Sequence, residues 1–376
     1  MKAVVIIPTY NEKENVKKII PLVMDEVFPN IKNHDMAILI ADDNSPDGTG
    51  DEVKSFMKKY KNLDIVTGPK KGLGAAYVRG MDYAIEKMNA DVVFEMDADG
   101  QHDATKIPEF MKKIDEGDDM VLGTRYSDGG SIPKEWPIQR KIVSVVANLF
   151  VRAVFMKFNI HDWTGGYRAL KKEVFLKERE ELKNFKGYIF QISFLQKAVR
   201  DGFKIGEVPF HFGSRTIGDS KIAAFSYILE VVKFVLWTRF TELLFGKFGK
   251  FLAVGGLGFV INAIVLRLGV EALHWNPSVA NLAGAALAIF SNYNFNNIWT
   301  FKEQKITSLG GYIKKLITFY LTSAFGVIFI QTGTIFVGDH FFGTKGYFLY
   351  FLVGTGLLLI WNFTIYNRFI WKSGSK

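Results

Sequence analysis

Residues 92–102 read Val92-Val93-Phe94-Glu95-Met96-Asp97-Ala98-Asp99-Gly100-Gln101-His102, an apolar run of strand length that stops at two aspartates. In an extended segment, residues two apart point the same way. Asp97 and Asp99 therefore aim two carboxylates at one point just beyond the strand. Open α/β sheets bind their ligands at that end of their strands. Two hard oxygen donors there suit Mg²⁺ or Mn²⁺, and such an ion usually also holds substrate phosphates. A solvated acidic turn is the plain alternative, and the surrounding sequence has to separate the two.

Working outward, the first ~220 residues alternate short apolar runs with helical patterns, the mark of a mostly parallel sheet covered by helices. Strands are expected at Val4–Pro8, Ala37–Ala41, Asp64–Thr67, Asp91–Met96 and Met120–Gly123, and helices at Glu14–Val27, Asp51–Lys59, Gly74–Met88 and Lys106–Glu116. Asn11, Asp42-Asp43-Asn44 and Asp97-Ala98-Asp99 all fall just after strands, which gathers polar residues along one sheet edge. Pro8 ends the first strand, and Asn11 or Glu12 can start the helix after it. Lys71-Gly72-Leu73-Gly74 is a glycine-bearing loop opening a helix, where backbone amides can approach phosphate or sugar oxygens. Tyr77 stands where a dinucleotide fingerprint needs its third glycine, and there is no P-loop, which weighs against NAD and ATPase chemistry.

The chain has 376 residues and a net charge of +9, placed unevenly. Residues 1–246 hold 36 Lys/Arg against 35 Asp/Glu, whereas residues 247–376 hold 11 against 3. The basic excess lies in a segment nearly empty of acids, so no nucleic-acid partner is expected. That segment has a membrane composition. No cysteine is present, which removes structural disulfides and thiolate metal sites. Met1-Lys2 leads straight into a strand-like run with no signal-peptide pattern, so the N-terminal part is expected in the cytoplasm.

Four uncharged stretches follow Lys250, and the expected spans are about 251–273, 277–301, 316–338 and 346–368. Arg267 and Glu271 share a face near the end of the first, where they can pair or snorkel. With the N-terminal domain inside, the inner flanks carry Lys247, Lys250, Lys302, Lys305, Lys314, Lys315, Arg368, Lys372 and Lys376. The outer loops carry only Lys345, with Arg267 at a helix end. The positive-inside rule then puts both termini in the cytoplasm. The tail also repeats itself. Asn292-Tyr293-Asn294-Phe295-Asn296-Asn297-Ile298-Trp299 and Asn362-Phe363-Thr364-Ile365-Tyr366-Asn367-Arg368-Phe369 share one pattern of asparagines and aromatics, which indicates a duplicated two-helix hairpin. Ala280, Gly284 and Ala288 form a small-residue stripe suited to close helix packing. Two apolar segments interrupted by charges, 137–159 and 223–246, read as helices lying in the membrane surface, the ordinary core helix being the alternative.

In this order, Pro8–Asn15, Asp42–Ser45, Gly72–Ala75 and Asp97–Gln101 resemble the motifs of the family-2 inverting glycosyltransferases. Further strings resemble the polyprenyl-phosphate sugar synthases of the dolichyl-phosphate mannose synthase type. They are Gly123-Thr124-Arg125-Tyr126, Trp136-Pro137 with Arg140 and Ser144, Asp162–Arg168, Gly187–Gln191, Glu207–Pro209 and Arg215–Lys221. The resemblance covers roughly residues 3–222, and the tail resembles the four-span GtrA-type module. It implies an α/β GT-A fold, with a mostly parallel sheet and a Rossmann-like nucleotide-binding half, as domain 1–222. An interface helix or linker at 223–246 and a transmembrane domain at 247–376 follow. It also implies roles by position. Pro8, Tyr10, Glu12, Ala41 and Asp43 would bind the nucleoside. Asp97, Ala98, Asp99 and Gln101 would hold diphosphate and metal, with Asp99 and Gln101 as direct ligands and Mg²⁺ or Mn²⁺ as the cofactor. Arg125, Arg140, Ser144, Arg215 and Lys221 would meet the acceptor phosphate and the donor phosphates. The reaction implied is transfer of a sugar, foremost mannose from GDP-mannose, to a polyprenyl or dolichyl phosphate with inversion, at the cytoplasmic membrane. UDP-glucose or another nucleotide sugar is the alternative donor.

The residue chemistry agrees. The donor diphosphate leaves as an anion, so a metal and cations stabilise charge in the transition state. The acceptor phosphate is itself the nucleophile. With a second pKa of about 6 it is mostly dianionic at neutral pH and needs no strong base. His102, His161 and His211 are accordingly expected in structural or polar-loop roles. Two departures concern the sugar more than the reaction. Ser193 stands where the synthases usually carry an acid, and Asp162-Trp163-Thr164-Gly165-Gly166-Tyr167 replaces the commoner Asp-Pro-Thr-Ser-Gly-Phe. Translocation of the sugar-lipid by the tail is a further reading, against which its few charges weigh. A processive synthase would need a Gln-x-x-Arg-Trp motif, and the sequence has none.

Overall fold

A computed structural model describes residues 1–182, 187–213, 225–343 and 346–372. The chain divides into two compact units, Met1–Leu236 and Trp237–Lys376.

In the first unit the strands are β1 (Lys2–Thr9), β2 (Asp35–Asp42), β3 (Leu63–Thr67), β4 (Val92–Glu95), β5 (Met120–Thr124), β6 (Arg168–Lys171) and β7 (Ile205–Pro209). They form one sheet of order β3-β2-β1-β4-β6-β5-β7. All neighbours are parallel except β6, which runs antiparallel between β4 and β5. The mostly parallel α/β sheet and all five expected strands are present. β1 shows why the run reads as continuously apolar: Val5 and Ile7 enter one core, Val4 and Ile6 the other. A strand buried on both faces has no polar side to alternate with.

Helices α1 (Lys13–Pro21), α2 (Thr49–Met57) and α4 (Ile107–Asp115) supply Val16, Val53 and Phe110 to the first core. Helices α3 (Leu73–Glu86), α5 (Ile138–Phe155), α6 (Lys172–Leu182) and α7 (Gly187–Arg200) supply Tyr77, Phe155, Phe175 and Phe194 to the second. A fully buried side chain of this size contributes roughly 1.5–3 kcal/mol. Gly80 sets the α3–β1 approach, because a Cβ there would stand 2.5 Å from Ile6 Cγ2. After β1 and β2 the chain turns through left-handed Asn11 (φ 60°) and Asn44 (φ 54°). Asparagine tolerates that conformation better than other non-glycine residues. Both turns lie at the sheet edge where Asp97 and Asp99 follow β4. The next helix is α8 (Phe225–Phe245), and the division between the units falls within it.

The second unit is helical: α9 (Lys247–Glu271), α10 (Pro277–Phe295), α11 (Leu309–Phe325), α12 (Thr332–Phe342) and α13 (Tyr347–Ile365). A π-helical turn, Gly326–Gln331, joins α11 to α12 without a break. Among the described residues three helices are long and apolar enough to cross a membrane: Lys247–Glu271, Leu309–Phe342 and Leu349–Ile370. The remaining stretch forms the 19-residue α10 and ends in a π turn, Asn296–Thr300. Arg267 and Glu271 do pair, at 3.0 Å. The small-residue stripe does allow close approach, since a Cβ on Gly284 would stand 2.9 Å from the Asn262 carbonyl oxygen. Of the repeated asparagines, Asn297 turns inward while its counterpart Asn367 is exposed. Asn297 exchanges two hydrogen bonds with the Ile306 backbone and accepts a third from Trp371 Nε1.

Candidate active site

The carboxylate turn is tightly built. Gly100 adopts φ 75°, and the Gln101 N–H folds back to donate to Asp99 Oδ1 at 3.0 Å. Asp99 and Gln101 are both buried. The Gln101 side-chain amide donates from Nε2 to the Gly213 carbonyl, while the Gly213 N–H donates to the Gln101 carbonyl. That orients the amide and leaves Oε1 as its acceptor end. Asp97 accepts a hydrogen bond from the Tyr77 hydroxyl at 2.9 Å. Burial, with Asp97 and Glu95 nearby, holds the Tyr77 pKa well above the ordinary phenol value, so the hydroxyl keeps the proton it donates.

His102 is structural, as expected. Its Nδ1 accepts the Asp97 N–H at 3.0 Å, and its ring stacks on Tyr167 at 4.9 Å between centroids. Burial lowers its pKa to about 4, so the ring stays neutral at pH 7. His161 pairs through its backbone N–H and Nδ1 with Glu207, both at 2.6 Å, and His211 Nδ1 meets Ser131 Oγ.

The residues that the resemblance assigns to the nucleoside gather at the ends of β1 and β2. Tyr10 is exposed with Lys70 Nζ 3.2 Å above its ring. Glu12 accepts from Asn15 Nδ2, and Ala41 is fully buried. Pro8 does not end β1, which pairs with β2 through Thr9. Asp43 is ion-paired with Arg79 at 2.7 Å. Its neighbour Asp42 is engaged with Thr9 and Ser45 and holds the turn together.

Arg125 follows β5 and forms a bidentate pair with Asp162, at 2.7 and 2.8 Å, and also donates to Thr164 Oγ1. Burial pushes the Asp162 pKa up, but Arg125 outweighs it and holds the carboxyl below its ordinary range. The Arg125 guanidinium lies 5.2 Å from the Tyr126 ring centre and 5.3 Å from that of Phe212. The Tyr126 hydroxyl meets Ser144 Oγ at 2.6 Å. Arg140 lies over Trp136 at 3.8 Å, and Trp136 packs edge-on against Phe212. Phe212 in turn touches His102 of the carboxylate turn. One aromatic group thus joins Arg125, Ser144 and Arg140 to the turn that carries Asp97, Asp99 and Gln101. Arg215 and Lys221 lie outside the described residues.

Glu95 and Arg168 lie buried behind this edge. Burial pushes the Glu95 carboxyl up to about 7, against the pull of Arg168 and Gln191. Sequence reasoning gave no role to Asp162, Tyr77, Arg79, Tyr126 or Phe212. Asp162 and Tyr126 stood inside quoted motifs, which was a usable signal; Tyr77, Arg79 and Phe212 carried none.

Residues 4–178 match glycosyl transferase family 2, and residues 250–371 match the GtrA/DPMS transmembrane domain. A dolichol-phosphate mannosyltransferase of Pyrococcus furiosus is 32% identical over 352 residues, spanning 91% of this chain and 93% of that protein. This chain belongs to glycosyl transferase family 2. A polyprenol monophosphomannose synthase of Mycolicibacterium smegmatis is 37% identical, over 63% of this chain and 86% of that protein. An undecaprenyl-phosphate mannosyltransferase of Micrococcus luteus is 33% identical, over 63% and 94%. The family-2 match contains the carboxylate turn, Pro8, Tyr10, Glu12, Ala41 and Asp43, and the Arg125–Asp162 pair.

The donor set at the turn fits a divalent cation. Asp97, Asp99 and the Gln101 amide offer hard oxygen ligands, and the Asp99 carboxylate is already oriented by the Gln101 N–H. Among the described residues no three His, Asp or Glu side chains surround one point. The remaining coordination positions would fall to phosphate oxygens and water, as is usual for Mg²⁺.

Proposed function

We propose that this chain transfers mannose from GDP-mannose to a polyprenyl or dolichyl phosphate with inversion, giving a β-linked lipid phosphate sugar. The observation that carries the reading is the aromatic junction. Phe212 meets His102 of the carboxylate turn on one side, and Arg125 and the Arg140-bearing Trp136 on the other. An anionic leaving group and an anionic nucleophile are thereby given separate polar sites on one sheet edge.

In this reading Pro8, Tyr10, Glu12, Ala41 and Asp43 take the nucleoside, with Arg79 holding Asp43 in place. Asp99, Gln101 and Asp97 hold Mg²⁺ or Mn²⁺, which when bound supplies positive charge against the departing diphosphate. Arg125, Ser144 and Arg140 receive the acceptor phosphate, and Arg215 and Lys221 add cations from segment 214–224. Most of the acceptor phosphate is dianionic above its second pKa of about 6, so it attacks without a general base. The histidines fit this. His102 is neutral and enclosed, and His161 is committed to Glu207. Four spans in the second unit, α10 included, anchor the enzyme with both termini in the cytoplasm, following the distribution of lysines.

The test supplies the purified protein with polyprenyl phosphate and one labelled nucleotide sugar at a time. GDP-mannose should give a mild-acid-labile labelled lipid, chelation should abolish the transfer, and Mg²⁺ or Mn²⁺ should restore it. Transfer from UDP-glucose in preference to GDP-mannose would overturn the donor assignment, and no transfer from any donor would overturn the whole reading.

A further inference from the structure

At the C-terminal end of β4, Glu95 faces Arg168 directly across the antiparallel β4–β6 pair. Both are fully buried. Two residues back on the same face, the corresponding pair is apolar, Val93 opposite Leu170. A chain that needed only a core at this position would continue that pattern. Instead it buries an acid against an arginine, whose attraction to the ionised carboxyl is strong where water is excluded.

The Arg168 guanidinium reaches outward from the sheet. Its Nε and Nη2 donate to the Gly165 carbonyl at 3.1 and 2.8 Å. The Gly165 N–H donates to Asp162 Oδ1, and Asp162 holds Arg125. Gln191, also buried, lies against the same loop, because a Cβ on Gly166 would stand 3.2 Å from its Nε2. Among the described residues Arg168 Nη1 has no hydrogen-bond partner, and the buried Gln191 amide lies beside Glu95 and favours its ionised form. Glu95 therefore acts on Arg168 through charge. Along the chain it stands two residues before Asp97.

We propose that Glu95 is a positioning residue for the transfer reaction. Its carboxylate holds the Arg168 guanidinium against Gly165, and so sets the 162–166 loop and Arg125 relative to Asp97 and Asp99. The proposal rests on the lipid-phosphate reading only for the substrate that Arg125 meets.

The experiment compares Glu95→Gln, Glu95→Asp and the double variant Glu95→Met/Arg168→Met with the wild-type full chain in detergent. Hydrogen exchange, thermal unfolding, nucleotide affinity and turnover are all measured. Glu95→Gln should raise exchange of the 162–166 amides at least tenfold and leave β1 unchanged. It should also lower kcat at least tenfold, with nucleotide affinity within threefold of wild type. Glu95→Asp should recover part of both effects. The double variant removes both charges, so it should unfold at or above the wild-type temperature yet keep the loose loop and the low kcat. A double variant with wild-type loop exchange and turnover would overturn the proposal, as would unaltered loop exchange in Glu95→Gln. If the wild-type chain transfers no sugar, the lipid-phosphate reading fails, while loop exchange still decides the role of Glu95.

Discussion

At the scale of single residues, Arg125 and Asp162 decide the most. Their side chains are nearly or wholly enclosed, with 9% and 0% of each exposed. Breaking a buried pair by removing one partner strands the other charge and costs about 3–5 kcal/mol. Arg125→Met is therefore expected to destabilise the first unit by that amount and to lower turnover, read by chemical unfolding and by lipid labelling. The pH dependence has a definite sign. The Asp162 carboxyl is held below its ordinary value of 3.8. Its contribution is therefore complete above that value and disappears as pH falls through the folded-state pKa. The stability gap between wild type and Asp162→Asn should be widest near neutrality and close on acidification below pH ~4; a gap constant from pH 7 to 3 would refute the pair's ionic character. Asp97 and Asp99 stood out in the sequence on a period of two, but β4 ends at Glu95, and Ala98 and Asp99 lie in a turn, so the turn and not the strand period sets where the second carboxylate points. The Arg125–Asp162 pair did not stand out, because its partners are 37 residues apart and a charge pattern does not say which distant charge closes on it.

At the scale of elements, α5 leaves aliphatics exposed while it buries a polar residue. It buries Asn148 along with Val151 and Phe155, and Asn148 bonds Thr164 and the Trp163 N–H. Meanwhile it exposes Ile142 and Val146, at 56% and 55%. We propose from these exposed aliphatics that the outer face of α5 meets lipid. The sequence showed that 137–159 was both apolar and charged, but which face would be covered depended on Thr164 and Trp163, outside the helix. The same dependence hid β6 and β7. Arg-Ala-Leu-Lys and Ile-Gly-Glu-Val-Pro have little strand pattern of their own and become strands by pairing with β4 and β5. Ile142→Asp with Val146→Asp should leave thermal stability unchanged, since both side chains are already exposed. It should raise KM at least tenfold for a long-chain polyprenyl phosphate and leave KM for a short, water-soluble one within twofold. An equal effect on both acceptors would place the loss in the site and not in lipid contact.

At the scale of the whole molecule, the two units differ in how much of them was written locally. The first was legible as strand–helix alternation. The second was legible as charge depletion and as a repeat, and its internal symmetry now has a physical form. Aligning Asn292 with Asn362 places Tyr293 on Phe363 and Phe301 on Trp371. The Tyr293–Trp371 contact, 5.5 Å between ring centres, then has its counterpart in Phe363–Phe301 at 6.4 Å. Phe301 and Trp371 are each other's equivalents and stack at 4.6 Å, 7° from parallel. Both repeats end in π turns, Asn296–Thr300 and Tyr366–Ile370. These exchanged contacts are what two hairpins related by an approximate twofold axis between the stacked rings would make, and on that reading the two rings should be exchangeable. Phe301→Trp alone overfills the stack and Trp371→Phe alone leaves a gap, and each should lower the unfolding temperature in detergent. Together they exchange the rings across the axis. The double variant should recover most of the loss, with a coupling of about 0.5–1.5 kcal/mol, the range measured for aromatic pairs. Additive losses would mean that the rings sit in unrelated environments and that the repeat ends short of the stack.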